Sequence, residues 1–298
     1  MYILGFDIGG TKCAVVTADW NGEEIKLLKK DVCPTDCTVP PEQMIDKLVR
    51  MADGILTGKP DSIGISCGGP LNSENGVILS PPNLPGWDNV EIVKIIEKHY
   101  SVPAHLQNDA NACALAEWKF GAGKGCQNMI FMTFGTGLGA GLILNGKLYE
   151  GTNGNAGEVG HVRLEEDGPV GFGKKGSFEG FCSGNGIAQL GVKIMGDKTL
   201  NAKTIADAAR NGDEKAREVY RISGERLGKG LSILIDILNP EVIVIGSVFA
   251  RSHDLLWEEA KRVIDKEALS VSAECCRVVP AELGEQIGDF GAVATALL

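Results

Sequence analysis

The sequence is poor in aromatic residues, 6% of 298 positions, and poor in positive charge, with 29 Lys and Arg against 39 Asp and Glu. The resulting net charge of -10 and pI near 5.0 argue against a nucleic-acid surface, which needs a basic face. Small phosphorylated ligands stay open, because they need only local positive potential. No apolar run approaches the ~20 residues that span a bilayer. The chain enters an apolar strand at once, Tyr2-Ile3-Leu4-Gly5-Phe6, with no basic leader or cleavage site. Its nine cysteines are scattered and no Cys-x-x-Cys occurs. An odd count in that setting reads as reduced, mostly buried thiols in a cytoplasmic protein without a membrane partner. The Walker pattern Gly-x-x-x-x-Gly-Lys-Ser/Thr is also missing.

Glycine is abundant. The 40 glycines cluster in loops rather than in a repeat, which points to close backbone approaches to a ligand. The length suits one large domain or two medium ones. Residues 2–8 and 13–17 read as strands joined by the turn Gly9-Gly10-Thr11-Lys12. A third strand is expected over Ile25–Lys29, a helix over 41–55, a strand over Ser62–Ser66 and a helix over 89–100. A second strand–glycine turn–strand unit runs from Met129 through Gly135-Thr136-Gly137-Leu138-Gly139 to Leu144. Residues 183–236 read as mainly helical. The strand Val242–Ile245 ends in a glycine turn at Gly246, and helices near 253–266 and 288–297 flank a last strand near Arg277–Val279. This order implies α/β lobes with mixed sheets, flanking helices and a cleft between them. A hinge is expected near Glu117–Gly123.

The stretch Gln107-Asn108-Asp109-Ala110-Asn111 lies where a short strand meets a helix. A carboxylate there is held ionised and aimed by the helix's orphan N–H groups. On this segment alone, Asn108 or Asp109 capping the helix is the simpler reading. The two glycine hairpins reverse it. At Gly9 and Gly10 the missing side chains let N–H groups converge on phosphate oxygens, with Thr11 adding a hydroxyl and Lys12 a cation. Asp7 is placed to hold Mg²⁺ or a water of its shell. The second glycine turn joins two strands and opens no helix, so a dinucleotide fingerprint is not expected. Two such turns and Gly246 together suggest a nucleotide clamp.

Asp7-Ile8-Gly9-Gly10-Thr11-Lys12, Ser80-Pro81-Pro82-Asn83-Leu84 and Asn108-Asp109-Ala110-Asn111 resemble the ROK family of sugar kinases and repressors, within the actin-like ATPase fold. The likeness continues through Gly135-Thr136-Gly137-Leu138-Gly139, Gly157-Glu158-Val159-Gly160-His161 and Asn239–Gly246. It implies a small lobe of residues 1–118 plus 286–298 and a large lobe of residues 119–285. It also implies phosphorylation of a hexose hydroxyl, normally at C6, by ATP with Mg²⁺. Asp109 would then take the hydroxyl's proton, and Gly69, Asn83, Asn108, Glu158, His161 and Glu179 would bind the sugar. Asp7, Gly9, Gly10, Thr11, Lys12, Gly135, Thr136, Gly137 and Gly246 would serve the nucleotide. Homodimerisation through the second lobe is a family expectation. Asp109 and Glu158 also pass as a glycosidase pair, but glycosidases have no use for paired phosphate loops.

One departure from the family pattern matters. Where three cysteines usually join the histidine around a structural zinc, this chain has Val170, Phe172 and Ser177. A lone histidine cannot make a four-ligand site, so no structural zinc is expected; either Val170 and Phe172 pack in its place or Gly168–Gly176 is a plain solvated turn. Cys182 reads as a core thiol, Lys29-Lys30 as a solvated pair, and Trp87 as either a cleft or a packing residue. The repressors of the family carry a helix-turn-helix ahead of the first phosphate loop; here that loop starts at residue 7, which favours an enzyme. A catalytically silent sugar sensor is the alternative of another class. Loop Cys67-Gly68-Gly69-Pro70 carries no large charged group, so glucose is the first choice, with N-acetylmannosamine or N-acetylglucosamine behind it.

Overall fold

The computed structural model describes all 298 residues, which divide into two compact units. The first comprises Met1–Gly125, Glu150–Asn155 and Glu285–Leu298. Its central strand, Tyr2–Ile8 (β1), is buried on both faces from Ile3 to Phe6. Lys12–Trp20 (β2) pairs antiparallel with β1, and Ile25–Pro34 (β3) pairs antiparallel with β2. Pro41–Ile55 forms helix α1. Ser62–Cys67 (β4) then pairs in parallel with β1. A small hairpin of Leu71–Asn72 (β5) and Val77–Ile78 (β6) and the helix Ile92–Tyr100 (α2) lead to Ala104–Asn108 (β7), parallel to β4. The sheet order is β3-β2-β1-β4-β7. Asp109–Phe120 forms α3, and Ile287–Thr295 forms a C-terminal helix.

Successive side chains of a strand face opposite sides, and here each side meets its own core. Leu4, Phe6, Ile63 and Ile65 pack with Met44 and Leu48 of α1 and Ile92 and Ile96 of α2. Trp87 joins this core at 2% exposure, which settles it as a packing residue. Ile3, Val16 and Ala18 pack on the other side with Val293 and Ala296. That side depends on Gly64. A Cβ built there would lie 1.9 Å from the Ala292 carbonyl oxygen and 2.6 Å from the Ala296 nitrogen, both backbone atoms. Gly64→Ala is therefore expected to cost about 2–3 kcal/mol, or about 4–10 °C of Tm. Thermal denaturation reads this directly, and an unchanged Tm would show that the helix yields freely. Strand β3 runs five residues beyond the expected Lys29, because the Lys29-Lys30-Asp31 stretch sits on the sheet's exposed edge. Edges tolerate charge and show no apolar alternation.

The second unit comprises Cys126–Tyr149 and Ala156–Gly284. Met129–Met132 (β8) and Ala140–Leu144 (β9) are antiparallel, and Lys147–Tyr149 (β10) extends the pairing. Val170–Gly171 (β11) and Lys174–Lys175 (β12) form a separate hairpin. The helices Phe178–Phe181 (α4), Gly184–Met195 (α5), Ala202–Arg210 (α6) and Glu214–Leu238 (α7) follow. Val242–Ile245 (β13) returns in parallel beside β8. Val248–Arg251 (α8), His253–Glu267 (α9) and Ser270–Cys275 (α10) then lead to Arg277–Pro280 (β14), parallel to β13. The order β10-β9-β8-β13-β14 matches the first sheet strand for strand: an antiparallel hairpin whose first strand pairs in parallel with a later one. The two glycine turns occupy equivalent places in two related α/β units. Cys182 is fully buried and donates to the Ser223 carbonyl, as a core thiol does. No helix is long and apolar enough to cross a membrane.

Candidate active site

In the first unit, parallel pairing brings Ile8, Cys67 and Asn108 level at the carboxyl ends of β1, β4 and β7. The turn Gly9–Lys12, the loop Gly68–Gly69 and the start of α3 therefore leave the sheet at one edge. The turn is closed by the Gly9 N–H donating to the Lys12 carbonyl at 3.1 Å, and Thr11 and Lys12 are exposed. Gly10 lies so close to Asn83 that a Cβ there would sit 2.6 Å from the Asn83 Cβ. Asn83 itself is exposed. At Gly69 a Cβ would lie 3.3 Å from Asn108 Nδ2, and at Gly68 4.0 Å from Asp109 Oδ2. The geometry thus gathers Gly10 with Asn83, Gly69 with Asn108, and Gly68 with Asp109.

Capping and chemistry fall on neighbouring residues here. Asn108 is the N-cap of α3, its Oδ1 accepting from the Ala110 N–H at 3.0 Å. Asp109 is the first helical residue. Its Oδ1 accepts from the same N–H at 2.8 Å, and its side chain is exposed. Gln107, buried, fixes this junction: its Oε1 accepts from Asn108 N (2.8 Å) and Asn111 Nδ2 (3.0 Å). Its Nε2 donates to Glu150 Oε1 at 3.1 Å, tying the segment Glu150–Asn155 to the same unit. Gln107 carries no sequence signal beyond its place beside Asn108.

Asp7 is partly buried, and burial, reinforced by the nearby Asp289 and Asp109 carboxylates, pushes its pKa from 3.8 to about 6. Lys12 and Lys30 oppose that shift. Lys30 is more than a solvated charge: although its side chain is 40% exposed, its Nζ lies 2.6 Å from Oδ2 of Asp289, which is 3% exposed. The two residues are 259 positions apart, so only the tertiary fold reveals the pair. Asp7 also faces the first turn of the C-terminal helix, where a Cβ on Gly288 would lie 2.7 Å from its Oδ2.

In the second unit the glycine turn is closed by Thr133 N–H to the Gly139 carbonyl (2.9 Å) and Gly135 N–H to the Gly137 carbonyl (3.0 Å). Gly246, at the end of β13, donates to the Met132 carbonyl at the base of that turn, while Thr136 is exposed. Ser247 follows at φ +52° and lies beside Gly135, a neighbour that sequence reasoning did not single out. Glu179 accepts from the Leu138 N–H at 3.0 Å, and a Cβ on Gly137 would sit 2.7 Å from its Oε2. One carboxylate oxygen of Glu179 is thus given to the loop itself. Glu158 and His161, both exposed, bracket the short 3-10 turn Val159–His161, which packs through Gly160 against Leu138 and Glu179.

The hairpin beyond His161 departs from the expected apolar packing. Val170 is 40% exposed and Phe172 72% exposed, because the hairpin is only two residues per strand and it is Gly171 between them that turns inward against Gly180. Ser177 is buried, but its Oγ caps α4 by accepting from the Gly180 N–H at 3.0 Å. Zinc, which the family likeness implies, does not suit these residues. Val170 and Phe172 offer no donor and the Ser177 hydroxyl is engaged. No three His, Cys, Asp or Glu side chains assemble into a metal-holding group. Mg²⁺ is a different case, since it takes one or two carboxylates and leaves the rest of its shell to water and phosphate. Asp7 suits it.

The model of the ROK family matches residues 3–297. A glucokinase of Streptomyces coelicolor is 31% identical over 98% of this chain and 96% of its own. Among solved structures, a ROK hexokinase from Thermus thermophilus is 30% identical with a TM-score of 0.86, over 100% of this chain and 98% of its own. A ROK glucokinase from Streptomyces griseus, in complex with glucose and AMPPNP, is 27% identical with a TM-score of 0.78, over 100% and 99%. The xylose repressor of Bacillus subtilis is 27% identical over 97% of this chain and 75% of its own.

Proposed function

Because the chain belongs to the ROK family, we propose that it is an ATP-dependent sugar kinase whose acceptor is the C6 hydroxyl of glucose. The observation that carries the reading is the start of α3. Asn108 caps the helix, so Asp109 presents an exposed carboxylate at the sheet edge shared with the first phosphate turn. Asp109 accepts the hydroxyl's proton as the oxygen attacks the γ-phosphorus and the bond from that phosphorus to the β-phosphate's bridging oxygen breaks, releasing ADP. The proton transfer is worth roughly 10²–10⁴-fold. The rest of the rate comes from positioning and charge. Gly9, Gly10 and the exposed Thr11 and Lys12 hold phosphate oxygens, and Gly135, Thr136, Gly137 and Gly246 are assigned to the nucleotide. Mg²⁺, held near Asp7, would offset phosphate charge.

Asn83, Asn108 and the backbone at Gly69 are assigned to ring hydroxyls, as are Glu158, His161 and Glu179, with Glu158 accepting two vicinal O–H groups. Glu179 has one oxygen left for the sugar after its bond to Leu138. Glucose is favoured over N-acetylhexosamines because loop Cys67–Pro70 has no large polar side chain to recognise an acetamido group. The glucokinase relative supports the same choice.

ADP release with Mg-ATP across glucose, mannose, xylose, N-acetylmannosamine and N-acetylglucosamine tests this. Glucose is expected to lead by at least about tenfold in kcat/KM. An N-acetylhexosamine in the lead would correct the substrate and keep the kinase. No turnover on any sugar, with calorimetric binding of one of them, would replace the kinase with a sensor of the kind the repressor relative suggests.

A further inference from the structure

We propose that the hairpin Val170–Lys175 sets the orientation of the His161 ring through Phe172 and Lys174, which makes these two positioning residues for sugar binding without a metal. The inference rests on the reading of His161 as a sugar ligand, and it starts from a residue that local rules do not explain. Register pairs Gly171 with Lys174, so Phe172 and Gly173 form a two-residue turn, both with positive φ (+45° and +76°). Such turns favour Asn-Gly or Asp-Gly, and a bulky aromatic at the first position is strained. Burial does not compensate, since 72% of Phe172 is exposed. Residues held in sparsely populated backbone regions cluster at ligand clamps.

What the strained position achieves is a contact. The Phe172 ring meets the His161 ring edge-on, with centroids 5.0 Å apart and planes at 75°. Lys174, two residues on, donates from Nζ to the His161 carbonyl at 2.6 Å. The hairpin is in turn fastened to the segment after His161: Arg163 Nη1 donates to the Lys175 carbonyl (2.9 Å), and Leu164 N–H to the Gly176 carbonyl (2.9 Å). One side of the imidazole is thus fixed by an aromatic edge contact and its main chain by an ammonium, leaving the ring nitrogens to a sugar hydroxyl. The three positions where metal-binding relatives would carry thiolates serve this hairpin and its anchor instead.

The test is Phe172→Asn, which suits the turn and so keeps the fold, beside Phe172→Tyr, which keeps the ring. Phe172→Asn is expected to hold or raise Tm and to raise KM for the sugar about three- to tenfold, with kcat nearly constant. Phe172→Tyr should stay near the parent. In NMR spectra the His161 imidazole resonance, assigned by its absence in His161→Gln, should lose its ring-current shift in Phe172→Asn and retain it in Phe172→Tyr. An unchanged KM and an unchanged resonance in Phe172→Asn would overturn the proposal, as would stoichiometric zinc in the purified protein. The resonance decides the clamp even if the parent phosphorylates no sugar, so a failure of the kinase reading is told apart from a failure of this one.

Discussion

Asp109→Asn turns over sugar at least about a hundredfold more slowly than the parent, with KM for the sugar nearly unchanged. Asn108 supplies the N-cap, and the neighbouring position contributes a second acceptor to the same Ala110 N–H. An amide at 109 keeps an oxygen for that N–H and nearly the same volume, so the helix start survives and Tm moves little. What the amide cannot do is take a proton from a hydroxyl. Loss of kcat without loss of binding is therefore the signature of a general base. Asn108→Ala should behave in the opposite way: its cap is lost, about 1 kcal/mol of stability goes with it, and KM rises. Full turnover in Asp109→Asn would move the base to another residue and leave Asp109 as a helix-start carboxylate.

The parts of this site that were legible in the sequence are those encoded within a few residues. Glycines between two apolar runs announce the turns at Gly9 and Gly137, and the polar cluster at Gln107–Asn111 announces a strand-to-helix junction. The pairing of Lys30 with Asp289 could not be read, because two residues 259 positions apart meet only after β3 joins the sheet and the C-terminal helix crosses it. Strand β3 was underestimated for a related reason: an exposed edge strand with Lys-Lys-Asp lacks the alternation that marks half-buried strands. The exposure of Phe172 went the other way. An aromatic residue in place of a metal ligand suggested burial, whereas a two-residue turn in a minimal hairpin gives it no core to enter. Segment Glu150–Asn155 shows the same limit, since its attachment to the first unit depends on Gln107 and Ser73 reaching Glu150.

Asp7→Asn is expected to make a more stable and less active protein. An acid whose folded pKa is raised is held at a cost when ionised. The contribution of Asp7 to stability is fully present below its unfolded value of 3.8 and is lost as pH rises through about 6. A shift of about two pKa units corresponds to at most about 3 kcal/mol, and the partial exposure of Asp7 brings this to about 1–3 kcal/mol. At pH 8 the amide, which cannot ionise, should therefore melt about 2–10 °C above the parent. At pH 3 the two curves should converge, because Asp7 is then largely neutral in the folded and the unfolded chain alike. The cause is visible in the neighbours: Asp7 shares its surroundings with Asp289 and Asp109, and Lys30 is already engaged with Asp289. A carboxylate kept in such company suits a cation that arrives with the nucleotide and relieves the repulsion. Mg-ADP should accordingly raise the Tm of the parent more than that of Asp7→Asn, and turnover of the variant should fall at least about a hundredfold. Equal melting profiles from pH 3 to 8 would mean that the carboxylate is not destabilised in the folded protein. The reason for its placement beside the Gly9–Lys12 turn would then have to be sought in hydrogen bonding rather than in charge.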